Sequence, residues 1–236
     1  MMTLEEVMEK LSGMGTEQTK KTFLRHGAPE PLFGVKVGDM KKLVKYVKKD
    51  QELGLALYDT GNSDAMYLAG LSVNPKLMEK ERLQKWVEKA KWYMPAEYTV
   101  AKVAAESKYA LELAREWLES DKEYIAVCGW STYSNYLSIT PDEKLDLDEL
   151  KRLLQRIEKS IHQERNRVRY VMNDFVICTG SFVKPFYDEA MKVAKAIGKV
   201  HVDVGNTACK VPLAADYIKK VEARDKIGVK KKTCIC

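Results

Sequence analysis

The sequence predicts an all-α fold, an α-α superhelix of about six helical hairpins, and three observations carry that expectation. Apolar residues recur at three- and four-residue spacing along nearly the whole chain. The breaks between these periodic stretches are short and carry Gly, Pro, Ser, Thr or Asn. Alternating, strand-like patterning is confined to one segment near residue 200.

Taken in order, Thr3 with Glu6 reads as a capping box that opens a first helix along Leu4, Val7, Met8 and Leu11, closed by Gly13 and Gly15. A second helix spans 16–25. Pro29 and Pro31 interrupt the chain, and Phe33-Gly34-Val35 leads into a third helix over 38–49. That helix turns Met40, Leu43, Val44 and Val47 inward and Lys41, Lys42, Lys45, Lys48 and Lys49 outward. A helix over 53–58 ends at Gly61, and Ser63 reads as the cap of a helix over 64–73 stopped by Pro75. Helices over 76–91, 96–106, 109–119 and 122–137 follow. Thr140-Pro141-Asp142-Glu143 has the form of a helix start and opens a helix to residue 159. Helices over 165–179 and 185–197 come next, and Pro212 starts a last one ending near residue 221. Pairs recur at roughly 35–45 residues, the spacing of HEAT-like hairpins. One hairpin cannot bury its apolar face alone, so the pairs are expected to stack into a solenoid with a concave face. The expected organisation is a single domain over 1–225 and a basic C-terminal tail over 226–236.

Val200-His201-Val202-Asp203-Val204 alternates with period two, Gly205-Asn206 is a turn signal, and the chain from Thr207 to Val211 has the length of a return strand. Residues 199–212 are therefore a candidate β-hairpin, with an irregular interhelical loop as the alternative. A two-stranded ribbon fits the DNA major groove. The tail from Lys226 either pairs with this segment or frays as a mobile basic end.

The chain has 236 residues, 45% hydrophobic and 31% charged, which excludes disorder as the dominant state. No apolar run reaches the roughly 18–20 residues of a membrane span, and Met1 to Lys10 carries no apolar leader core. The expected address is cytoplasmic, nucleoid-associated if the source is bacterial. Cys128, Cys178, Cys209, Cys234 and Cys236 are odd in number and scattered, which reads as reduced thiols rather than a disulfide framework. His26, His162 and His201 show no triad or metal spacing. No metal or cofactor is expected.

Net charge is +6, but residues 151–236 hold 19 Lys and Arg against 9 Asp and Glu, while residues 1–150 hold 21 against 25. That asymmetry favours a polyanion as partner, DNA above all. Arg165, Arg167 and Arg169 are the leading phosphate-contact candidates. Arg165 and Arg169 share a helix face at i,i+4, and Arg167 points elsewhere. The alternative is a solvated face pairing with Glu164 or Asp174. Lys199, His201 and Lys210 flank the candidate hairpin, and Lys230, Lys231 and Lys232 make the tail basic. The outward lysines of the third helix read more simply as a solubilising face. Trp86, Trp92, Trp117 and Trp130 sit at core positions, with Trp92 and neighbouring Tyr93 the pair to test for a groove.

An ordered set of short motifs resembles the superfamily of HEAT-like-repeat DNA glycosylases represented by AlkC and AlkD. They are Phe33-Gly34-Val35 with Met40-Lys41-Lys42-Leu43, then Leu57-Tyr58-Asp59 with Asp64-Ala65-Met66-Tyr67-Leu68-Ala69, then Trp117-Leu118-Glu119-Ser120-Asp121. The resemblance implies excision of alkylated purines, in which a carboxylate stabilises an oxocarbenium-like sugar. The pocket element departs from the pattern. Where the family has W-W-D-x-V-D, this chain reads Trp92-Tyr93-Met94-Pro95-Ala96-Glu97, leaving Glu97 as the only carboxylate. The family's Arg falls on or near Val127, and a later pocket aromatic falls near Asp174, with Phe175 the nearest substitute. Met172-Asn173-Asp174-Phe175-Val176-Ile177 and the stretch from Asp203 to Pro212 are similar to the AlkF/AlkG branch, which lacks glycosylase activity and is associated with branched DNA. The resemblance thus implies a non-catalytic, monomeric protein that holds three-way or four-way junctions in a basic concave groove, linked to DNA repair or recombination. Trp92, Tyr93, Glu97, Val127, Asp174 and Phe175 would then be a vestigial pocket. The alternatives are an alkylpurine glycosylase using Glu97 and a protein–protein scaffold.

Overall fold

A computed structural model describes residues 2–235, which form thirteen α-helices and no β-strand. They pack as two compact units. The first holds the chain through Tyr109 together with Val204–Ala208 and Ile235; the second holds Ala110–Asp203 and Cys209–Cys234.

The first unit runs α1 (Leu4–Met14), α2 (Glu17–Arg25), α3 (Val37–Val47), α4 (Gln51–Asp59), α5 (Ser63–Ser72) and α6 (Lys80–Lys89), then a π-helical stretch, Met94–Val100, that passes into α7 (Ala101–Ala105). The expected capping box closes α1: Glu6 N–H donates to Thr3 Oγ1 at 3.2 Å, and Thr3 N–H donates to Glu6 Oε2 at 2.9 Å. Two of the short motifs prove to be one device. The buried Asp64 carboxylate, at the start of α5, accepts the N–H groups of Phe33 (2.6 Å), Gly34 (3.0 Å) and Val35 (2.9 Å). Gly34 is required there, because its φ is +78° and a Cβ would lie 2.4 Å from the backbone N of Lys20. Tyr58 of α4 stacks on Trp86 of α6 at 4.0 Å and donates its hydroxyl to the Trp86 carbonyl.

At two of the boundaries in this unit that differ from the sequence reading, a capping side chain is the cause. Asn62, not Ser63, caps α5, its Oδ1 accepting from the N–H groups of Asp64 and Ala65. The expected helix over 76–91 is split: Asn74 caps a 3-10 turn at Pro75–Leu77, and α6 begins after it.

The second unit runs α8 (Ala110–Leu118), α9 (Glu123–Ile139), α10 (Leu147–Ser160), α11 (Asn166–Phe182), α12 (Tyr187–Ile197) and α13 (Ala214–Glu222). α8 and α9 touch backbone to backbone at Gly129, where a Cβ would fall 2.3 Å from the N of Leu118. α9 and α11 form the centre, with Phe175 packed edge-on against Trp130 at 5.2 Å and Tyr133 at 5.5 Å. α10 buries Leu150, Leu153, Leu154 and Ile157 on one face. The Thr140-Pro141 signal opens only a 3-10 turn, Asp142–Lys144; Asp146 caps α10, accepting the N–H of Glu149 at 2.9 Å.

The candidate β-hairpin over 199–212 is not formed; the alternative, an irregular interhelical loop, is what the chain adopts. The bonds a return strand would have made at its two ends are supplied by side chains of α11. The Asn166 amide donates to the Asp203 carbonyl (2.7 Å) and accepts the Asp203 N–H (2.8 Å), and Asn173 donates to the Pro212 carbonyl (3.1 Å). Nor does the basic tail fray. Gly228 N–H bonds to the Ser181 carbonyl, Lys231 N–H bonds to the Ser138 carbonyl, and Cys234 is buried. Among the described residues no helix is long and apolar enough to cross a membrane and no group of side chains is arranged to hold a metal. Cys128, Cys178, Cys209 and Cys234 are free thiols; Cys236 lies outside the described residues.

Candidate nucleic-acid interface

The three arginines of α11 divide by helix face. At about 100° per residue, Arg165 and Arg169 lie on one side and Arg167 roughly opposite. The shared face of Arg165 and Arg169 is turned toward protein. Arg165 donates through one Nη to the carbonyls of Ser120 (2.9 Å) and Asp121 (2.6 Å), tying the α8–α9 turn to the start of α11, and lies 3.8 Å from Glu164. Arg169 donates to Asn166 Oδ1, and its Nε is buried without a partner. The pair expected to face a ligand is thus engaged internally; Arg167, partly exposed on the opposite side of the helix, has its backbone N–H donating to Glu123 Oε1 at 2.6 Å. Arg167 Cζ sits 3.9 Å from the centroid of the Tyr170 ring, a close cation–π stack.

Arg167 heads a stripe along α11 that continues through Tyr170, Asp174, Cys178 and Phe182, each partly or fully solvent-exposed. The sequence reading missed this stripe, although the signal was present: non-aliphatic residues at three- and four-residue spacing on a helix whose other faces are apolar. The C-terminal segment delivers a second cation to it. Lys230 is the anchor, half-buried, donating to the Leu137 carbonyl at 2.9 Å and pairing with Asp142 at 2.8 Å. Next to it, Lys231 is exposed and lies 5.0 Å from the centroid of the Phe182 ring. Lys232, Lys199, His201 and Lys210 are exposed and pair with no acidic side chain among the described residues.

Asp174 occupies the middle of the stripe. Its side chain is open to solvent, yet desolvation by the surrounding protein pushes the carboxyl up, against the opposing pull of Lys231, the Cys178 thiol and Arg167. Cys178 donates to Asp174 Oδ2 at 3.8 Å, and its own thiol is pushed well up by burial and by the neighbouring carboxylate. No cation stands within ion-pair distance of Asp174 among the described residues.

The other residues expected to form a pocket are closed off. Trp92 is buried, donates Nε1 to the His26 carbonyl at 2.6 Å, and packs against Phe23 at 5.7 Å, Ala28 and Leu32. Tyr93 meets Trp92 edge-on at 5.1 Å and Tyr98 at 6.4 Å. The cavity left among Phe23, Met40, Asp64, Tyr67, Trp92 and Met94 is about 10 Å³, room for about one water and not for a purine. Met94, where the family carries an Asp, helps line that residual space. Glu97 is 6% exposed within the π-helical stretch. Val127 and Phe175 are both fully buried in the second unit, so Phe175 replaces no pocket aromatic; it is core. Trp86, Trp117 and Trp130 are core as expected.

Residues 7–199 match the family model described as DNA alkylation repair enzyme. The chain is 36% identical over 231 residues to the uncharacterized protein Lmo0209 of Listeria monocytogenes, covering 96% of this chain and all of that one. It is 35% identical over 229 residues to the uncharacterized protein Lin0241 of Listeria innocua, covering 95% and 99%. Among solved structures it is similar to one described as a new family of proteins related to the HEAT-like repeat DNA glycosylases with affinity for branched DNA structures, with a TM-score of 0.91, 34% identity and full coverage of both chains. The match over most of its length, on a helical fold shared end to end with a HEAT-like relative, shows that this chain belongs to the DNA alkylation repair enzyme family.

Proposed function

We propose that this protein binds branched or distorted DNA, three-way or four-way junctions, without excising bases, and that it serves DNA repair or recombination in the cytoplasm. The observation that carries the reading is the likeness over the full chain, at 34% identity, to a solved protein described as having affinity for branched DNA. Two features of this chain support it. The excess of cations lies in residues 151–236, where Arg167, Lys199, Lys210, Lys231 and Lys232 supply phosphate contacts from partly or fully exposed positions. The aromatic cluster around Trp92 leaves a cavity of about 10 Å³, too small to receive an extruded alkylpurine.

The test is a gel-shift titration of a four-way junction, a linear duplex of equal length and single strands at two salt concentrations. The expected result is junction binding well above duplex binding, weakening with salt. Equal affinity for all three would reduce the protein to a general polyanion binder, and no binding even at low salt would overturn the reading. Release of N3- or N7-alkylated purines that is lost in Glu97→Gln would restore the glycosylase.

A further inference from the structure

An acidic side chain in the middle of a phosphate-binding surface works against that surface, so Asp174 calls for its own explanation. The carboxylate is not spent on the fold: among the described residues it caps no helix, makes no ion pair and accepts the weak Cys178 thiol bond alone. It is held in place all the same, on the central helix of the second unit. On one side stands the Arg167–Tyr170 stack at 3.9 Å; on the other, Lys231 over Phe182 at 5.0 Å. Lys231 is fixed by the Lys231–Ser138 and Lys230–Leu137 hydrogen bonds, so the second cation is built in rather than borrowed from a flexible end.

Two cation–aromatic pairs about a lone acceptor match one ligand feature of nucleic acid. The cations meet the flanking phosphates, the planar groups extend base stacking, and the carboxylate accepts hydrogen bonds from the edge of a base. A carboxylate only accepts, so it pairs with an exocyclic amino group and repels a carbonyl. Cytosine presents N4–H₂ where thymine presents O4. In a paired duplex one N4–H is committed to the complement and the other faces the major groove; at a branch point or in a single strand both are available.

We propose that Asp174 is a base-reading residue: the exposed stripe of α11 takes an unpaired base bearing an exocyclic amino group, cytosine over thymine, with Arg167 and Lys231 meeting the adjacent phosphates. This deepens the branched-DNA reading and rests on it for the claim that DNA is the ligand. It adds a base preference to a protein whose phosphate contacts carry none.

The experiment measures affinity for short oligo(dC) and oligo(dT), beside a four-way junction and a duplex, for the unaltered protein, Asp174→Asn and Lys231→Ala. The unaltered protein should bind oligo(dC) about tenfold more tightly than oligo(dT), the discrimination expected of one good base contact. Asp174→Asn keeps the shape but adds an N–H₂ donor that suits thymine O4, so the preference should vanish or invert while junction-over-duplex preference stays. Lys231→Ala should weaken both oligonucleotides equally. Equal binding of oligo(dC) and oligo(dT), an unchanged preference in Asp174→Asn, or no binding of single strands overturns the inference. If junction preference persists in any of these cases, the branched-DNA reading stands without it. If junction and duplex bind equally while the oligo(dC) preference depends on Asp174, base reading stands and the branched reading falls.

Discussion

Asp64 and Asp174 are the same side chain in opposite circumstances. Asp64, in the first unit, is 2% exposed and holds three backbone N–H groups of the segment before α3. Asp174, in the second unit, is open to solvent and holds a thiol at 3.8 Å. The surroundings repeat the contrast. Beside Asp64, Phe23, Tyr67 and Trp92 close in on a residual cavity of about 10 Å³; along α11, the aromatic rings of Tyr170 and Phe182 are partly exposed beside cations. A carboxylate satisfied by the backbone belongs to the fold, and one that the fold leaves with a single weak bond is available to a ligand.

The largest effect that would break this contrast is on stability. Asp64→Ala leaves two buried donors and one part-buried donor unmet and should cost about 3 kcal/mol, read from urea denaturation. A loss under about 1 kcal/mol would mean that the segment Phe33-Gly34-Val35 rearranges freely and that Asp64 is not structural.

Next comes a pH effect within the second unit. Glu149 receives a two-pronged bond from Arg115 (2.8 and 2.6 Å) and the Tyr133 hydroxyl (2.7 Å). The Arg115 hydrogen bond, with Tyr133 adding to it, holds the Glu149 carboxyl below its ordinary value of 4.5 against desolvation. Burial first, and the Glu149 carboxylate second, push the Tyr133 hydroxyl up. Because the folded-state value of Glu149 is depressed, its stabilisation is complete above pH 4.5 and is lost as pH falls through the lower, folded value. Arg115 is partly exposed, so solvent screening limits the contribution to about 1 kcal/mol. Arg115→Ala should lower stability by that amount at neutral pH and flatten the loss below pH 4.5, seen in melts across that range.

A smaller effect sharpens the contrast on the binding side. Arg167→Ala and Lys231→Ala should each weaken junction binding several-fold and reduce the slope of log affinity against log salt by about 1. Unchanged slopes would take both residues off the interface. The smallest effect is Asp174→Asn on stability. A carboxyl whose folded value is raised burdens the folded state as pH rises above its ordinary 3.8, so removing the charge should leave neutral-pH stability within about 0.5 kcal/mol of the parent, on the stabilised side. A loss of more than about 1 kcal/mol would place Asp174 with Asp64 among the structural acids.

What was legible in the sequence was whatever depends on neighbours in the chain. The Thr3–Glu6 capping box, the helical periodicity and the four buried tryptophans all follow from local spacing and apolar content. Misread features depended on partners distant in sequence. Arg165 looked like a phosphate contact because the carbonyls of Ser120 and Asp121, 45 and 44 positions away, leave no mark on the residues beside it. The alternation at Val200–Val204 was real, but Asn166 and Asn173 took the bonds at the two ends of the segment. Asn62 and Ser63 are both good caps, and spacing alone does not choose between them.

The adjacent lysines of the C-terminal segment are chemically unequal as a consequence of how that segment docks. Lys230 has its ammonium between a carbonyl and a carboxylate, whereas Lys231 presents its ammonium to solvent over the Phe182 ring. A lysine-directed acylating reagent should therefore modify Lys231 long before Lys230, and bound DNA should shield the first without altering the second. One peptide from a mass-spectrometric footprint would carry both an occupancy signal and its internal standard.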